Sequence, residues 1–248
     1  MLRVVPGSGD RLTAEFEVAF VDGDGVEVRA SLADAAGVPF EAVAPVRRFP
    51  SYKRQRHFPG LWWSSSTGGH VGYESWLERD HLMMLDYESA VVGLASQPLW
   101  LFWEHEGRTR SHAPDYFARL AGGGGLVVDC RPVRRIKPRD AVAFEATRRA
   151  CELVGWEYRL VGALDPVLAA NLRWLAGYRH PRHELPEMAA ALRAVFADPT
   201  PLMAGAAVVG DPVAVLPVLF HLLWRHDLVT DLSTPLSGDT TVATAGAV

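Results

Sequence analysis

Two acidic residues stand on either side of a four-glycine turn near the middle of the chain. Asp115 directly follows Pro114, and Asp129 ends an apolar run that begins after the turn at 122–125. If 115–120 and 126–131 pair as antiparallel strands, the turn brings residues 115 and 131 together. We therefore expect both carboxylates in one pocket, where their oxygens can bind Mg²⁺, or Mn²⁺ in its place. A metal ion held in this way can catalyse phosphodiester hydrolysis.

Arg131 follows Asp129 by two residues, so a strand places both side chains on one face. The guanidinium stays charged, and it can stabilise charge that builds up on a phosphate. A second interpretation stays open: Asp115 is a turn residue, and Asp129 is only a salt-bridge partner of Arg131. His112 either contacts a phosphate or is a surface imidazole.

A helical pattern over 73–87 carries two further candidate ligands. Glu74 and Glu78 are expected one turn apart on one face, where either can complete the metal site or both belong to a solvated surface. Gln97 precedes Pro98 near a predicted strand edge, where its amide either reaches the site or caps a turn. Four histidines in the last third lack the spacing of a zinc site.

Basic side chains form two clusters although the formal net charge of the chain is -4. Neither 46–57 nor 131–139 contains an acidic residue, so both can hold a DNA backbone without reading its sequence. The alternative is two solvated basic loops. The side chains concerned are Arg47, Arg48, Lys53, Arg54 and Arg56 in the first cluster, and Arg131, Arg134, Arg135, Lys137 and Arg139 in the second.

The composition is that of a globular protein, with 49% hydrophobic and 22% charged residues over 248 positions. No apolar stretch reaches the roughly 18 residues of a membrane span, and the N-terminus has charges where a signal peptide has its apolar centre. These features predict a cytoplasmic protein without a membrane partner. The two cysteines are expected as reduced thiols.

Periodicity predicts an α/β fold in three parts. A β-rich arm with a hairpin at 11–49 and a basic aromatic loop extends to residue 70. The core, 71–165, is expected as the helix 73–87, antiparallel strands up to 131, a helix over 138–156 and the strand 156–161. Residues 166–248 are expected as a mostly helical, winged-helix-like domain whose acidic surface suits protein docking.

The ordered motifs resemble the TnsA-type endonuclease subunit of heteromeric transposases, over about residues 70–160. That family belongs to the restriction-endonuclease-like nucleases with the PD-(D/E)xK signature. The motifs are E-x-x-x-E at 74–78, L-D at 85–86, Q-P at 97–98, P-D at 114–115 and V-V-D-x-R at 127–131.

The resemblance implies a Mg²⁺-dependent endonuclease that cuts one strand of double-stranded DNA at transposon ends, with a DDE-type transposase and an AAA+ ATPase as partners. Asp115, Asp129 and Glu78 would match its metal-binding acids, with Glu74 as the other helix candidate. Arg131 would occupy the lysine position, and arginine cannot deprotonate water. Two alternatives are therefore kept: a non-cutting scaffold that binds DNA ends and recruits the transposase, and a stand-alone repair or restriction nuclease.

Overall fold

The computed structural model describes residues 3–4, 15–47 and 58–246. The chain divides into two compact units. The first holds the described residues up to Asp86 together with Ala90–Ala163, and the second holds Tyr87–Ser89 and the residues from Leu164 onward. The sequence places its last domain boundary two residues later, between 165 and 166.

The first unit contains eleven strands and three α-helices among its described residues. In chain order they are β1 (Arg3–Val4), β2 (Phe16–Val21), β3 (Glu27–Ser31), α1 (Leu32–Ala35), β4 (Gly60–Trp63), β5 (His70–Tyr73), α2 (Trp76–Tyr87), β6 (Val91–Ser96), β7 (Trp100–His105), β8 (Arg108–His112), β9 (Tyr116–Leu120), β10 (Gly125–Cys130), α3 (Pro138–Leu153) and β11 (Glu157–Val161).

The predicted N-terminal hairpin is confirmed as β2 and β3. Asp22 Oδ1 closes the turn by accepting hydrogen bonds from the backbone N–H groups of Asp24 and Val26, at 3.0 and 2.9 Å. Gly25 has φ +77°, a conformation that glycine adopts without a Cβ penalty. The turn residues therefore set the hairpin locally.

A four-stranded sheet with the order β11-β10-β9-β6 positions the acidic residues. The β6–β9 and β9–β10 pairs are antiparallel, and β11 pairs parallel with β10 after the crossover through α3. Along β10, Val127 packs in the core that includes α3 residues, whereas Val128 packs in the core that includes α2 residues. The two helices thus cover opposite faces of this sheet.

The β7–β8 hairpin interrupts that sheet in sequence but belongs to another. β7 pairs with β2, which gives a five-stranded sheet of order β1-β3-β2-β7-β8. The expectation that 98–105 continues the antiparallel strands of the core is therefore wrong. The strand expected at 115–120 is confirmed as β9, and Pro114, which has no N–H to donate to a ladder, lies between it and β8.

The first long helix starts later than the periodicity predicts, because residue 73 lies in β5. Ser75 is the N-cap, since its Oγ accepts a hydrogen bond from the backbone N–H of Glu78 at 3.2 Å. Glu74 precedes the helix, so the prediction that Glu74 and Glu78 share one helical face is wrong.

The C-terminal end of α2 is tied to the β4–β5 hairpin by Asp86, which is 5% exposed. Its carboxylate accepts six hydrogen bonds of 2.8 to 3.2 Å from residues 62–66. The donors are Trp62 Nε1, Ser64 Oγ, and both the backbone N–H and the Oγ of Ser65 and Ser66. This cluster fixes the loop between β4 and β5 against the helix that carries Glu78.

The helix predicted over 138–156 is confirmed as α3, which ends slightly earlier, at Leu153. Pro138 occupies its first turn, where a missing N–H costs nothing. Gly155, with φ +72°, follows its end. The predicted last strand of the core is confirmed as β11.

The second unit is mostly helical. Its elements are α4 (Pro166–Leu175), α5 (Pro186–Val195), β12 (Thr200–Pro201), α6 (Leu202–Val209), α7 (Pro212–Trp224), β13 (Leu228–Val229) and β14 (Thr241–Thr244), with the sheet order β12-β14-β13. Among the described residues, no single helix is long and apolar enough to cross a membrane. Only α6 and α7 taken together reach that length and apolar character, and the two helices are bent by 119° relative to each other. The chain is thus a mixed α/β protein, as the sequence predicts.

Candidate functional site

The register of β9 against β10 decides where the two central acids lie. Tyr116 pairs with Val128, so one further step places Asp115 opposite Asp129. The expectation that residue 115 meets residue 131 is wrong by two positions. Asp115 Oδ2 accepts a hydrogen bond of 2.7 Å from the backbone N–H of Cys130, which holds the carboxylate at the end of β10.

Asp129 is 1% exposed and is held by two polar partners. His112 Nε2 donates to its Oδ1 at 2.8 Å, and the Tyr158 hydroxyl donates to its Oδ2 at 2.9 Å. Burial, followed by the charge of Asp129, raises the pKa of the Tyr158 phenol. The imidazole of His112 is therefore a partner of a buried acid, and its interpretation as a surface group is wrong.

Arg131 is exposed, and its guanidinium carbon lies 5.9 Å from the ring centroid of Phe144. It forms no ion pair with any carboxylate in the described ranges, so the alternative of an Asp129–Arg131 salt bridge is also wrong. The positive charge is still close enough to lower the pKa of Asp115.

Glu78 lies in the first turn of α2 and is half-buried. Its two oxygens accept hydrogen bonds from Ser75 Oγ at 2.8 Å and from the backbone N–H of Glu74 at 2.7 Å. Burial is the main reason that the pKa of Glu78 is raised, and the charge of Glu74 raises it further. The same carboxylate thus caps a helix and adds negative charge to the site.

Glu74 has one oxygen in an ion pair, because Arg47 Nη2 lies 3.1 Å from Oε2. Its other oxygen, Oε1, is buried and accepts no hydrogen bond from the described part of the chain. Arg47, predicted as a DNA contact, is 37% exposed and lies beside this acid.

Gln97 is 1% exposed and has φ +47°, which is unusual for a residue with a Cβ. Its backbone N–H donates to the carbonyl of Asp115 at 2.9 Å, and its carbonyl accepts from the N–H of Val46 at 2.9 Å. Its side-chain oxygen is buried without a described partner. The backbone of Gln97 therefore holds the segment that carries Asp115, and strained backbone of this kind concentrates at functional sites.

Electrostatic repulsion links the acids from three elements. Burial is the largest reason that the pKa of Asp115 is well above its usual range, and the charges of Asp129 and Glu78 raise it further. The Cys130 N–H and Arg131 act in the opposite direction but do not cancel these effects. Burial and the neighbouring acids therefore both disfavour the charged form of Asp115.

The chemistry of these donors suits a hard divalent cation. Asp115 accepts only through Oδ2, so its Oδ1 has no described donor, and the orphaned oxygens of Glu74 and Gln97 are further acceptors. However, within 3–4, 15–47 and 58–246 no group of three or more His, Cys, Asp and Glu side chains is arranged to hold a metal ion.

The second basic cluster is exposed, including Arg134, Arg135 and Lys137, in a short helical turn and the loop before α3. For the first cluster only Arg47 is described with its surroundings. Arg48, Lys53, Arg54 and Arg56 lie outside the described residues.

Sequence reasoning missed Tyr158 and misjudged His112. The alternation in β11 places Tyr158 and Leu160 on one face, but nothing local shows that this face contacts Asp129. His112 contacts Asp129 only because β8 belongs to the neighbouring five-stranded sheet.

Comparison of the sequence with models of protein families and with curated proteins finds no match.

Proposed function

We propose that the chain is a metal-dependent DNA endonuclease subunit of a heteromeric transposase, which hydrolyses one strand at transposon ends. The observation that carries this proposal is the register that places Asp115 opposite Asp129, where the charges of Asp129 and Glu78 raise the pKa of Asp115. Buried carboxylates that lie close together are a costly arrangement without a cation or a substrate to interact with.

The order of elements supports a restriction-endonuclease-like core. With the β7–β8 hairpin set aside, α2 precedes β6, β9 and β10, and α3 then leads to β11. The first three strands are antiparallel and the last is parallel to its neighbour, with a helix on each face. This order agrees with the helix, antiparallel strands, helix and strand that periodicity predicts for the core, apart from the β7–β8 hairpin.

Asp115, Asp129 and Glu78 would hold Mg²⁺, or Mn²⁺ in its place, and Glu78 is favoured over Glu74 because its charge acts on Asp115. A bound Mg²⁺ supplies a Lewis acid and a cation for the phosphodiester. Arg131 stays protonated, so it binds the phosphate and does not transfer a proton.

Other residues of the chain position these acids. His112 and Tyr158 orient the carboxylate of Asp129. The strained backbone of Gln97 holds the segment that ends at Asp115. The exposed cluster at 131–139 contacts the DNA backbone.

The second unit would serve assembly, in the cytoplasm, with the DDE-type transposase and the AAA+ ATPase. Its helices followed by β13 and β14 are consistent with a winged-helix-like module. From residue 184 onward it contains seven acids against two arginines, which favours a protein partner over a phosphate backbone.

A second candidate is a scaffold that binds DNA ends and recruits the transposase without cutting. It is favoured by Asp129, whose two oxygens are both engaged by His112 and Tyr158. Arg131, in the position of a catalytic lysine, also lies over the ring of Phe144.

A nicking assay distinguishes the two candidates. Labelled transposon-end DNA is incubated with Mg²⁺ or Mn²⁺ and the cognate transposase, using wild type, Asp115→Asn and the control Glu152→Ala. Glu152 is an exposed acid on α3, distant in sequence from the site. The endonuclease proposal expects single-strand cuts by wild type and the control and none by Asp115→Asn. Equal inactivity of all three with retained DNA binding would support the scaffold.

A further inference from the structure

A cavity of about 360 Å³ lies between the β7–β8 hairpin and the N-terminal turn of α3. It is separate from the carboxylate cluster but shares one residue with its surroundings, His112. Its lining includes Trp103, Glu106, Arg110, His112, Arg139 and Asp140.

The two segments that border this cavity are strongly basic. Residues 108–112 and 131–140 together carry seven lysines and arginines, with Asp140 as their single acid, in a chain whose net charge is -4. The carboxylate of Asp140 is already engaged, because it accepts from the backbone N–H of Lys137 at 3.3 Å and lies 3.4 Å from Arg139 Nε. The hairpin adds Glu104 and Glu106, of which Glu106 also lines the cavity, and seven cations against three acids still leave this face cationic.

β8 presents its basic side chains in a row. It is an edge strand of its sheet, and both Arg108 and Arg110 are exposed. Alternate residues of a strand point to one side and lie about 7 Å apart, so Arg108, Arg110 and His112 form one line. The positive end of the α3 macrodipole faces the same region, since Pro138 and Arg139 form its first turn.

Two aromatic contacts connect the cavity to the carboxylate cluster. The ring of Phe144 lies 5.8 Å from the His112 ring and 5.9 Å from the guanidinium carbon of Arg131. His112 itself bonds to Asp129. A group bound in the cavity is therefore one residue away from the acids of the proposed nuclease site.

We propose that this cavity binds one backbone phosphate of duplex DNA, next to the phosphate that is cut, with Arg110 and Arg139 as its ligands. The inference rests on the proposed function for its substrate, and it adds a binding site that the motifs do not contain. Arginine suits this role because its planar fork donates two parallel hydrogen bonds to phosphate oxygens. The side chain of Arg139 is 81% exposed, and its ion pair with Asp140 is long, at 3.4 Å, so a phosphate can compete for the guanidinium.

The test is the salt dependence of DNA binding, measured by the fluorescence anisotropy of a labelled duplex of mixed sequence. Each phosphate that the protein no longer neutralises lowers the slope of log K against log salt by about 0.9. We expect this reduction in Arg110→Ala and in Arg139→Ala, and about twice as much in the double variant. Arg148→Ala removes the same charge from an exposed position of α3 and should leave the slope unchanged.

Wild-type slopes in Arg110→Ala and Arg139→Ala would overturn the inference, as would an equal reduction in Arg148→Ala. A titration with sodium phosphate separates a free anion from the DNA backbone: if the variants lose phosphate-ion binding and keep the duplex slope, the inference is wrong. Its failure is distinct from that of the proposed function, because binding is measured without cleavage. A chain that shows the expected slopes but never nicks DNA would refute only the nuclease.

Discussion

Replacing Asp86 with alanine tests whether the hydrogen-bonded cluster at the end of α2 stabilises the first unit. The carboxylate has six donors from residues 62–66, and the substitution removes their common acceptor. The β4–β5 loop is then no longer fixed to the helix that carries Glu78.

The magnitude follows from which donors can reach water after the change. Ser64 is fully buried, but its hydroxyl can still donate to Ser66 Oγ at 2.9 Å, whereas the indole N–H of the half-buried Trp62 loses this acceptor. A buried donor without a partner costs about 1–3 kcal/mol, whereas Ser65 and Ser66 are better placed to be hydrated. We expect Asp86→Ala to lower the free energy of unfolding by about 3–5 kcal/mol.

The assay is urea unfolding of the full chain, followed by tryptophan fluorescence. Asp86→Asn is a second variant that keeps the shape. Its NH₂ meets an N–H group, which can only donate, in either orientation of the amide, so it should also destabilise, by about 2 kcal/mol. Glu152→Ala serves as the matched control, since it removes an acid whose side chain is 58% exposed and whose ion pair with Arg148 therefore contributes little stability. A destabilisation by Asp86→Ala no larger than that by Glu152→Ala would refute the reasoning.

Two further predictions concern the site and its sheet. In EDTA, Asp115→Asn should become more stable relative to wild type as pH rises. The pKa of Asp115 is higher in the folded protein than its unfolded value of about 3.9, so wild type loses up to about 1.4 kcal/mol of stability per pH unit between these two values. A stability difference in urea unfolding that does not depend on pH would contradict this. Gly125→Ala should lower the free energy of unfolding by about 1–3 kcal/mol, because a Cβ there would lie 2.8 Å from both the Phe117 and Trp156 rings. The control Gly122→Ala should be nearly neutral, because its Cβ would enter open space. Equal effects of the two substitutions would refute the packing argument.

Local chemistry accounts for the parts of the fold that the sequence predicts well. The β2–β3 hairpin follows from the Asp and Gly residues of its turn, and α3 follows from Pro138 at its start and Gly155 after its end. In each case the groups that fix the backbone lie within a few residues of each other. The sequence also placed Asp115 and Asp129 in one pocket, because a short turn joins their two strands, although the predicted register was wrong by two positions.

Tertiary structure decided the features that depend on distant partners. β7 pairs with β2 instead of β6, and this pairing brings His112 to Asp129 across 17 residues. Tyr158 reaches the same acid only through the parallel β10–β11 pair. Periodicity alone does not specify such contacts, because an apolar strand is compatible with several neighbours and the choice depends on packing across the whole unit. The sequence by itself thus determined which acids meet, and the tertiary structure determined what holds them.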